Sequence, residues 1–581
     1  MADSHALRVE TDLAVPMRDG TVLRADLYRP DGPGPYPVLL QRTPYDKTAP
    51  GGMLSLDPLK SAKRGYATVI QDVRGRYASE GEFYAFRDEI NDGYDTVEWA
   101  AAQPWSSGKV GMYGASYVGA TQWLAALSKP PHLTTIVPNV TASNYHEGWT
   151  YQGGAFELGF NVSWTLAQLT LANLENLGGR LGLSDQTRED LVRAVDGMEE
   201  TFRYLPMGDL PHLKGGLADY FYDWLAHPEY DDYWKALSIE ENHSRLNVPA
   251  YHIGGWYDIF LGGTIRNYLG MREKAAGDEG RNGQRLIVGP WVHGSRSGST
   301  AGSHYFGLAA DALSIDLDGL HYRWYDHWLK GMDNGVMDGP PVRIFVMGDD
   351  AWRSEDEWPP ARARAVDYYL HSGGGANSVR GDGSLSTEAP GHEPPDVFLY
   401  NPANPAPTQG GALCCNPYFM PYGAFDQGDV EAREDVLVYS TPPLAKDVEV
   451  TGPVTVTLWA ASSATDTDFT AKLVDVCDHG CTRNITDGII RARYRDSTES
   501  ASFIEPGRAY RYTIDLWATS NVFKAGHRIR VEVSSSNFPR FDRNTNTGGS
   551  IASEAAPKPA LQTVFHDSQH PSHISLSVVS R

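Results

Sequence analysis

The chain has 581 residues, and at roughly 100–200 residues per domain that length predicts about three domains. With 50 Lys and Arg against 73 Asp and Glu the net charge is −23, so most of the surface repels a polyanion and nucleic acid is excluded as an expected partner. Hydrophobic residues at 41% and charged residues at 21% place the chain among folded proteins, away from the disordered range of composition.

Taken in chain order, residues 7–15 alternate apolar and polar, Arg18-Asp19-Gly20 supplies a turn, and residues 21–28 resume the alternation, which predicts a β-hairpin. Short apolar runs follow at 38–41, 67–71, 110–113, 134–137, 250–254 and 286–289, the pattern of buried parallel strands. Helical stretches lie between several of them. Residues 88–102, for example, carry Ile90, Tyr94, Val97 and Ala101 on one face. Strands alternating with helices predict an α/β domain. Between 140 and 246 that pattern stops. Ser184 can cap a helix with Leu191, Val195, Met198 and Phe202 as its apolar stripe, and aromatics crowd the segment, so a helical insertion is expected. Beyond Arg353, Pro and Gly clusters precede short alternating runs between 436 and 578, which predict a β-sandwich or jelly roll.

No run of about 18 apolar residues occurs and the first 20 residues carry charges, so neither a membrane span nor an export signal is expected, and the reading is a cytoplasmic protein. Cys414, Cys415, Cys477 and Cys481 are too few for a disulfide scaffold, and adjacent cysteines suit one tetrahedral zinc ion poorly. They are expected as buried small residues, with no metal or cofactor implied.

The segment 109–119 reads as an apolar strand, a Gly-x-Ser turn at Ser116 and then a helix, the layout of a nucleophile elbow. The second glycine of G-x-S-x-G stands one residue late, at Gly119, and the motif alone reads equally as a structural turn. A serine nucleophile needs a base, and the base an orienting acid. In an α/β-hydrolase these follow in the order Ser, acid, His, each just past a strand, and Asp258 in G-G-W-Y-D and His293 in V-G-P-W-V-H occupy those places. The Tyr117 amide is one oxyanion donor by position. The loop after residues 38–41 holds Tyr45, whose hydroxyl could be the other, although from the residues alone it also reads as a packed surface aromatic.

R-T-P-Y-D-K at 42–47, D-V-R-G-R-Y-A-S-E-G at 72–81, G-A-S-Y-V-G at 114–119, G-W-Y-D at 255–258, G-P-W-V-H at 289–293 and V-S-S-S-N-F-P-R-F-D-R-N at 533–544 resemble the cocaine esterase family of serine hydrolases. Relatives of that family are the X-Pro dipeptidyl-peptidases and α-amino acid ester hydrolases. The resemblance implies an α/β-hydrolase core with an inserted helical cap and a C-terminal β jelly-roll domain, divided as core 1–144, cap 145–240, core 241–352 and jelly roll 353–581. It implies Ser116 as nucleophile, Asp258 as acid, His293 as base, Tyr45 and Tyr117 as oxyanion donors, and Trp149, Trp164 and Phe260 as acyl-pocket lining.

Two departures bear on substrate. Amino acid ester hydrolases resemble this chain but carry acids two and three residues after the catalytic aspartate, where Phe260 and Leu261 stand here, so a neutral acyl group is expected. Cys414 and Cys415 stand where a bulky apolar wall would be. The expected partner is a small-molecule ester, with a homodimer left open. An amidase, X-Pro-type aminopeptidase or β-lactam acylase using the same triad is the alternative, and a non-catalytic carbohydrate-binding protein the third reading. Asp466 and Asp468 are expected as solvated turn caps in preference to calcium ligands, and Arg74 and Arg76 as an ion-pair cluster near Asp72.

Overall fold

The computed structural model describes residues 6–49, 56–294 and 299–580, so the first five residues of the charged start and Arg581 lie outside the described residues. Ten strands form one sheet: β1 Leu7–Pro16, β2 Val22–Pro30, β3 Tyr36–Thr43, β4 Ala67–Asp72, β5 Ser106–Ala115, β6 Leu133–Asn139, β7 Ala250–Tyr257, β8 Gln284–Val292, β9 Val342–Val346 and β10 Ala351–Glu355. Their order is β1-β2-β4-β3-β5-β6-β7-β8-β9-β10. From β4 to β9 every neighbouring pair is parallel, while the hairpin β1–β2, the β2–β4 pair and the β9–β10 pair are antiparallel. The carboxyl ends of β3, β5, β7 and β8 therefore open on one edge.

Seven helices matter for the site: α1 Glu89–Ala101, α2 Tyr117–Leu127, α3 Leu158–Ser163, α4 Asp185–Asp196, α5 Met198–Arg203, α6 Leu261–Lys274 and α7 Leu317–Lys330. The period-2 alternation of the strands divides the core in two. Val38, Leu40, Val110, Met112 and Ile136 pack with Trp123 and Leu124 of α2. Their chain neighbours Leu39, Tyr113 and Val137 pack with Trp324 and Tyr325 of α7 on the other face. Both faces are covered, so these strands read as continuous apolar runs.

The insertion between β6 and β7 is helical, apart from a small hairpin pairing Tyr151–Gln152 with Ala155–Phe156. Helix α3 runs directly into a π-helical turn, Trp164–Thr170. The long helix expected after Ser184 is in fact two. Ser184 caps α4 through the Thr187 amide at 3.1 Å, but Gly197 stops that helix and Met198 and Phe202 belong to α5. Gly, with its backbone entropy, breaks the helix where the side-chain period alone would have continued it.

Residues beyond β10 fold into an eleven-stranded sheet whose paired strands are all antiparallel except at Ser384–Ser440. Two expectations fail in this domain. Asp466 and Asp468 are not solvated caps. Both are buried and held by arginines, Asp466 by Arg493 and Asp468 by Arg491, with Asn544 donating to each. Turn composition concealed partners that lie 23 or more residues away. The cysteines are not free buried thiols either. They pair as Cys414–Cys415 and Cys477–Cys481, the latter across the hairpin between strands Asp468–Val476 and Thr482–Arg491, and only Cys414 is fully buried.

Candidate active site

Strand β5 ends at Ala115 and α2 begins at Tyr117, leaving Ser116 alone at the corner with φ 61° and ψ −126°. A side chain seldom occupies this part of backbone space, and such strain marks functional positions. The glycines follow from contact. At Gly114, with φ +136°, a Cβ would stand 2.1 Å from Val118 Cγ1. At Gly119 it would stand 2.8 Å from Thr141 Cβ and 3.0 Å from the Asn139 carbonyl. The second glycine comes one residue late because position 119 is where α2 touches the chain leaving β6.

The expected acid and base stand at the ends of β7 and β8, beyond β6 on the same edge. Asp258 directly follows β7 and His293 directly follows β8. The Asp258 carboxylate is wholly buried and divides its oxygens between two donors. Oδ1 accepts the Phe260 amide at 2.7 Å and Oδ2 meets His293 Nδ1 at 2.8 Å. A carboxylate placed this way holds Nδ1 protonated and leaves Nε2 as the basic nitrogen. The Phe260 ring meets the imidazole edge-on at 5.2 Å.

Tyr45 lies two residues past β3. Its amide donates to Thr43 Oγ1 at 3.0 Å, and its hydroxyl oxygen accepts the Trp164 indole N–H at 2.9 Å. An indole can only donate, so the phenolic proton is directed elsewhere. Burial pushes the Tyr45 phenol up to about 12, which keeps that proton in place at neutral pH, while the neighbouring Ser116 hydroxyl acts against the rise. Tyr45 is thus a half-buried residue whose hydroxyl is bound by Trp164 near Ser116, and not a surface packing residue.

Tyr117 contributes differently. Its ring is buried, its hydroxyl donates to Glu89 at 3.0 Å and accepts the Phe86 amide at 2.9 Å. The side chain is committed to the core beside the Arg42–Glu89 ion pair, leaving the backbone N–H, which at the first residue of α2 has no intrahelical acceptor.

Trp149, Trp164 and Phe260 come together as one buried aromatic group. Trp149 stacks on Phe260 at 4.3 Å and meets Trp164 edge-on at 5.5 Å. Sequence reasoning missed Phe160, which stacks on Trp164 at 5.5 Å and meets Phe260 at 5.6 Å. Its spacing of four from Trp164 along the helix was the available signal. Leu413 and Cys414 join the same cluster, and Leu413 bridges the backbone of Asp258, so the C-terminal domain closes one side of the site. A continuous path of contacts links Tyr45, Trp164, Trp149, Phe260, His293 and Asp258, the Tyr117 ring joins it at Trp149 and Trp164, and Ser116 neighbours the Tyr45 hydroxyl.

The expected Arg74 and Arg76 cluster about Asp72 is not found. Arg74 pairs with Asp19 and Asp92, Arg76 binds main-chain carbonyls, and Asp72 instead accepts the Lys47 amide at 2.7 Å. Burial raises Asp72 to about 7.

Comparison with known proteins now decides the family. Over 99% of its length the chain is 40% identical to 99% of the cocaine esterase of Rhodococcus sp. (strain MB1 Bresler). The chain belongs to the cocaine esterase family. Residues 19–295 match the X-Pro dipeptidyl-peptidase (S15 family) model, and residues 334–575 match that of the X-Pro dipeptidyl-peptidase C-terminal non-catalytic domain. Among solved structures, an aminopeptidase from a marine sediment Thaumarchaeota archaeon superposes with a TM-score of 0.80 at 26% identity, covering 100% of this chain and 97% of that one. An α-amino acid ester hydrolase gives 0.79 at 26% identity with the same coverage. This member of the cocaine esterase family is a serine carboxylic ester hydrolase with an α/β-hydrolase core and a C-terminal β domain. Among the described residues no helix is long and apolar enough to cross a membrane.

Proposed function

We propose that this enzyme cleaves esters of neutral apolar acyl groups through an acyl-serine intermediate, with the cap 145–240 and the C-terminal domain enclosing the acyl pocket. The observation that carries the reading is the placement of Tyr45, Ser116, Asp258 and His293 within two residues of the carboxyl ends of four parallel strands, with the acid and base 2.8 Å apart. His293 Nε2 takes the Ser116 proton as Oγ attacks the ester carbonyl. Asp258 holds the imidazole in the required tautomer and stabilises the imidazolium. The Tyr45 hydroxyl and Tyr117 amide bind the oxyanion. His293 then protonates the departing alcohol, and water repeats the cycle on the acyl-enzyme.

The pocket argues for a neutral acyl group. Phe260 is fully buried in the aromatic group beside His293, so an ammonium placed against it would be desolvated without a counter-charge, while Leu261 is buried in the separate apolar cluster of Tyr257 and Ile265. The likeness to an aminopeptidase favours the competing reading, an amidase or aminoacyl hydrolase. A panel of aryl, alkyl and aminoacyl esters with the matching amides separates the two. The proposal expects neutral esters to lead in kcat/KM, and an aminoacyl ester or an amide at the top of the ranking defeats it.

A further inference from the structure

The phrase at 72–81 has no role in the chemistry above, yet it brings a charged side chain under the oxyanion site. Arg76 is 1% exposed. Among the described residues no carboxylate forms an ion pair with it, and burial pulls its guanidinium below the ordinary value. Its donors go to three main-chain carbonyls on two segments. Nε donates to Pro44 at 2.7 Å, one terminal nitrogen to Gln168 at 3.2 Å and the other to Leu169. Pro44 immediately precedes Tyr45, and Gln168 and Leu169 lie on the π-helical turn that starts with Trp164. The two segments meet again one step closer to the site, in the Trp164–Tyr45 hydrogen bond.

The turn that presents Arg76 is itself tied to the cap. The Tyr77 amide donates to Asn173 Oδ1 at 3.0 Å, Asn173 Nδ2 donates to the Gly75 carbonyl at 3.1 Å, and Asn176 donates to the Tyr77 carbonyl at 2.9 Å. Gly75 has φ +66°, and a Cβ there would stand 2.1 Å from the Phe83 amide nitrogen. Tyr77 and Phe83 rings lie 5.1 and 5.2 Å from the guanidinium carbon. A buried cation without a counter-charge is costly, and a neutral side chain could fill the volume. What a neutral residue cannot do is bind carbonyls of two segments with one rigid fork.

We propose that Arg76 is a positioning residue for the oxyanion site: it clamps the Tyr45 loop to the π-helical turn carrying Trp164, and so holds the Tyr45 hydroxyl against the reacting carbonyl. The inference rests on Tyr45 being an oxyanion donor. The Arg76 charge is also felt at the Tyr45 hydroxyl, where it favours the negative charge that an oxyanion brings.

The test is a double-mutant cycle of Arg76→Lys with Tyr45→Phe on a neutral ester, reading kcat and KM separately. Lysine keeps the charge but not the fork. A misplacement of the donor by about 1 Å costs on the order of 10²-fold, so Arg76→Lys should lower kcat by about that factor with KM changed less than about threefold. In the Tyr45→Phe background the same substitution should cost less than about threefold more, because the group it positions is gone. An equal loss in both backgrounds, or a single variant with kcat within twofold of wild type, overturns the proposal. If Tyr45→Phe alone leaves kcat unchanged, the donor assignment and the clamp both fail. Should Arg76→Lys not fold, Arg76→Gln keeps a donor for one segment without the charge or the fork and is read in the same cycle. Its kcat loss must also vanish in the Tyr45→Phe background, and wild-type kcat in Arg76→Gln overturns the clamp.

Discussion

Two buried carboxylates in this protein meet nitrogen donors at nearly the same distance and have different consequences. Asp258 faces His293 at 2.8 Å on the open edge of the α/β sheet. Asp468 faces Arg491 at 2.9 Å through both of its oxygens, inside the C-terminal domain, where Arg491 also binds Asp542 at 2.8 Å. Asp542 in turn accepts the Phe156 amide of the cap hairpin at 2.7 Å. Burial pushes Asp468 above the ordinary carboxylate range despite its arginine. Arginine keeps its proton at any working pH, so the second cluster only holds domains together, whereas imidazole can pass its proton on. A buried carboxylate gains a catalytic use from a partner with an exchangeable proton and an exit to substrate, not from its burial.

The largest effect should follow from breaking the first region. Ser116→Ala and His293→Ala should each cost on the order of 10⁶ in kcat while thermal unfolding stays close to wild type. Asp258→Asn should cost about 10⁴ by favouring the wrong imidazole tautomer. Near wild-type turnover in any of the three would dissolve the triad assignment. Tyr45→Phe keeps the ring and removes one donor, so kcat should fall about 10² to 10³, with substrate affinity much less changed. A fluorophosphonate inactivation rate that falls in parallel would support the assignment.

Breaking the second region should do the reverse. Arg491→Met leaves Asp468 and Asp542 buried without their cation and should cost about 3–5 kcal/mol of stability. The drop in Tm measures this, and kcat of the folded enzyme at low temperature should stay near wild type. A large kcat loss there would mean that the cluster reaches the chemistry.

A smaller, pH-dependent effect sharpens the contrast. Glu157, at the cap and C-terminal domain junction with Arg540 at 3.8 Å, is raised by burial from 4.5 to about 8. Between those two values the folded chain binds a proton that the unfolded chain has lost. Stability from this group therefore falls as pH rises from about 5 through about 8. Glu157→Gln should flatten the Tm profile across that window, and curves that run parallel would reject the assignment. Leu261→Asp puts a carboxylate into an apolar cluster and should lower Tm, and in the enzyme that still folds it should raise the rate on aminoacyl esters relative to neutral ones by a small factor. An unchanged ratio would separate position 261 from acyl recognition.

The elbow shows how local and distant information divide. A strand, a small-residue turn and a helix around Ser116 were legible because each depends on residues close in the chain. That Gly119 could replace the usual glycine depended on Thr141 and Asn139, which approach only when β6 lies beside β5. Asp258 and His293 were legible for the same local reason, as residues ending apolar strands. Their 2.8 Å contact depended on β7 and β8 being neighbours.

The sequence by itself determined the period of each element, the order of Ser116, Asp258 and His293 along the chain, and the apolar character of positions 260 and 261. Only the tertiary structure decided which polar groups meet. Arg76 pointed on paper to Asp72 and in the fold binds three carbonyls, two of them more than 90 residues away. Asp466 and Asp468 looked like a solvated turn and are buried under Arg491 and Arg493. The physical reason is one of range. Backbone propensity and side-chain periodicity act over a few residues, while a buried donor or charge is satisfied by whatever partner the packed layers bring within about 3 Å.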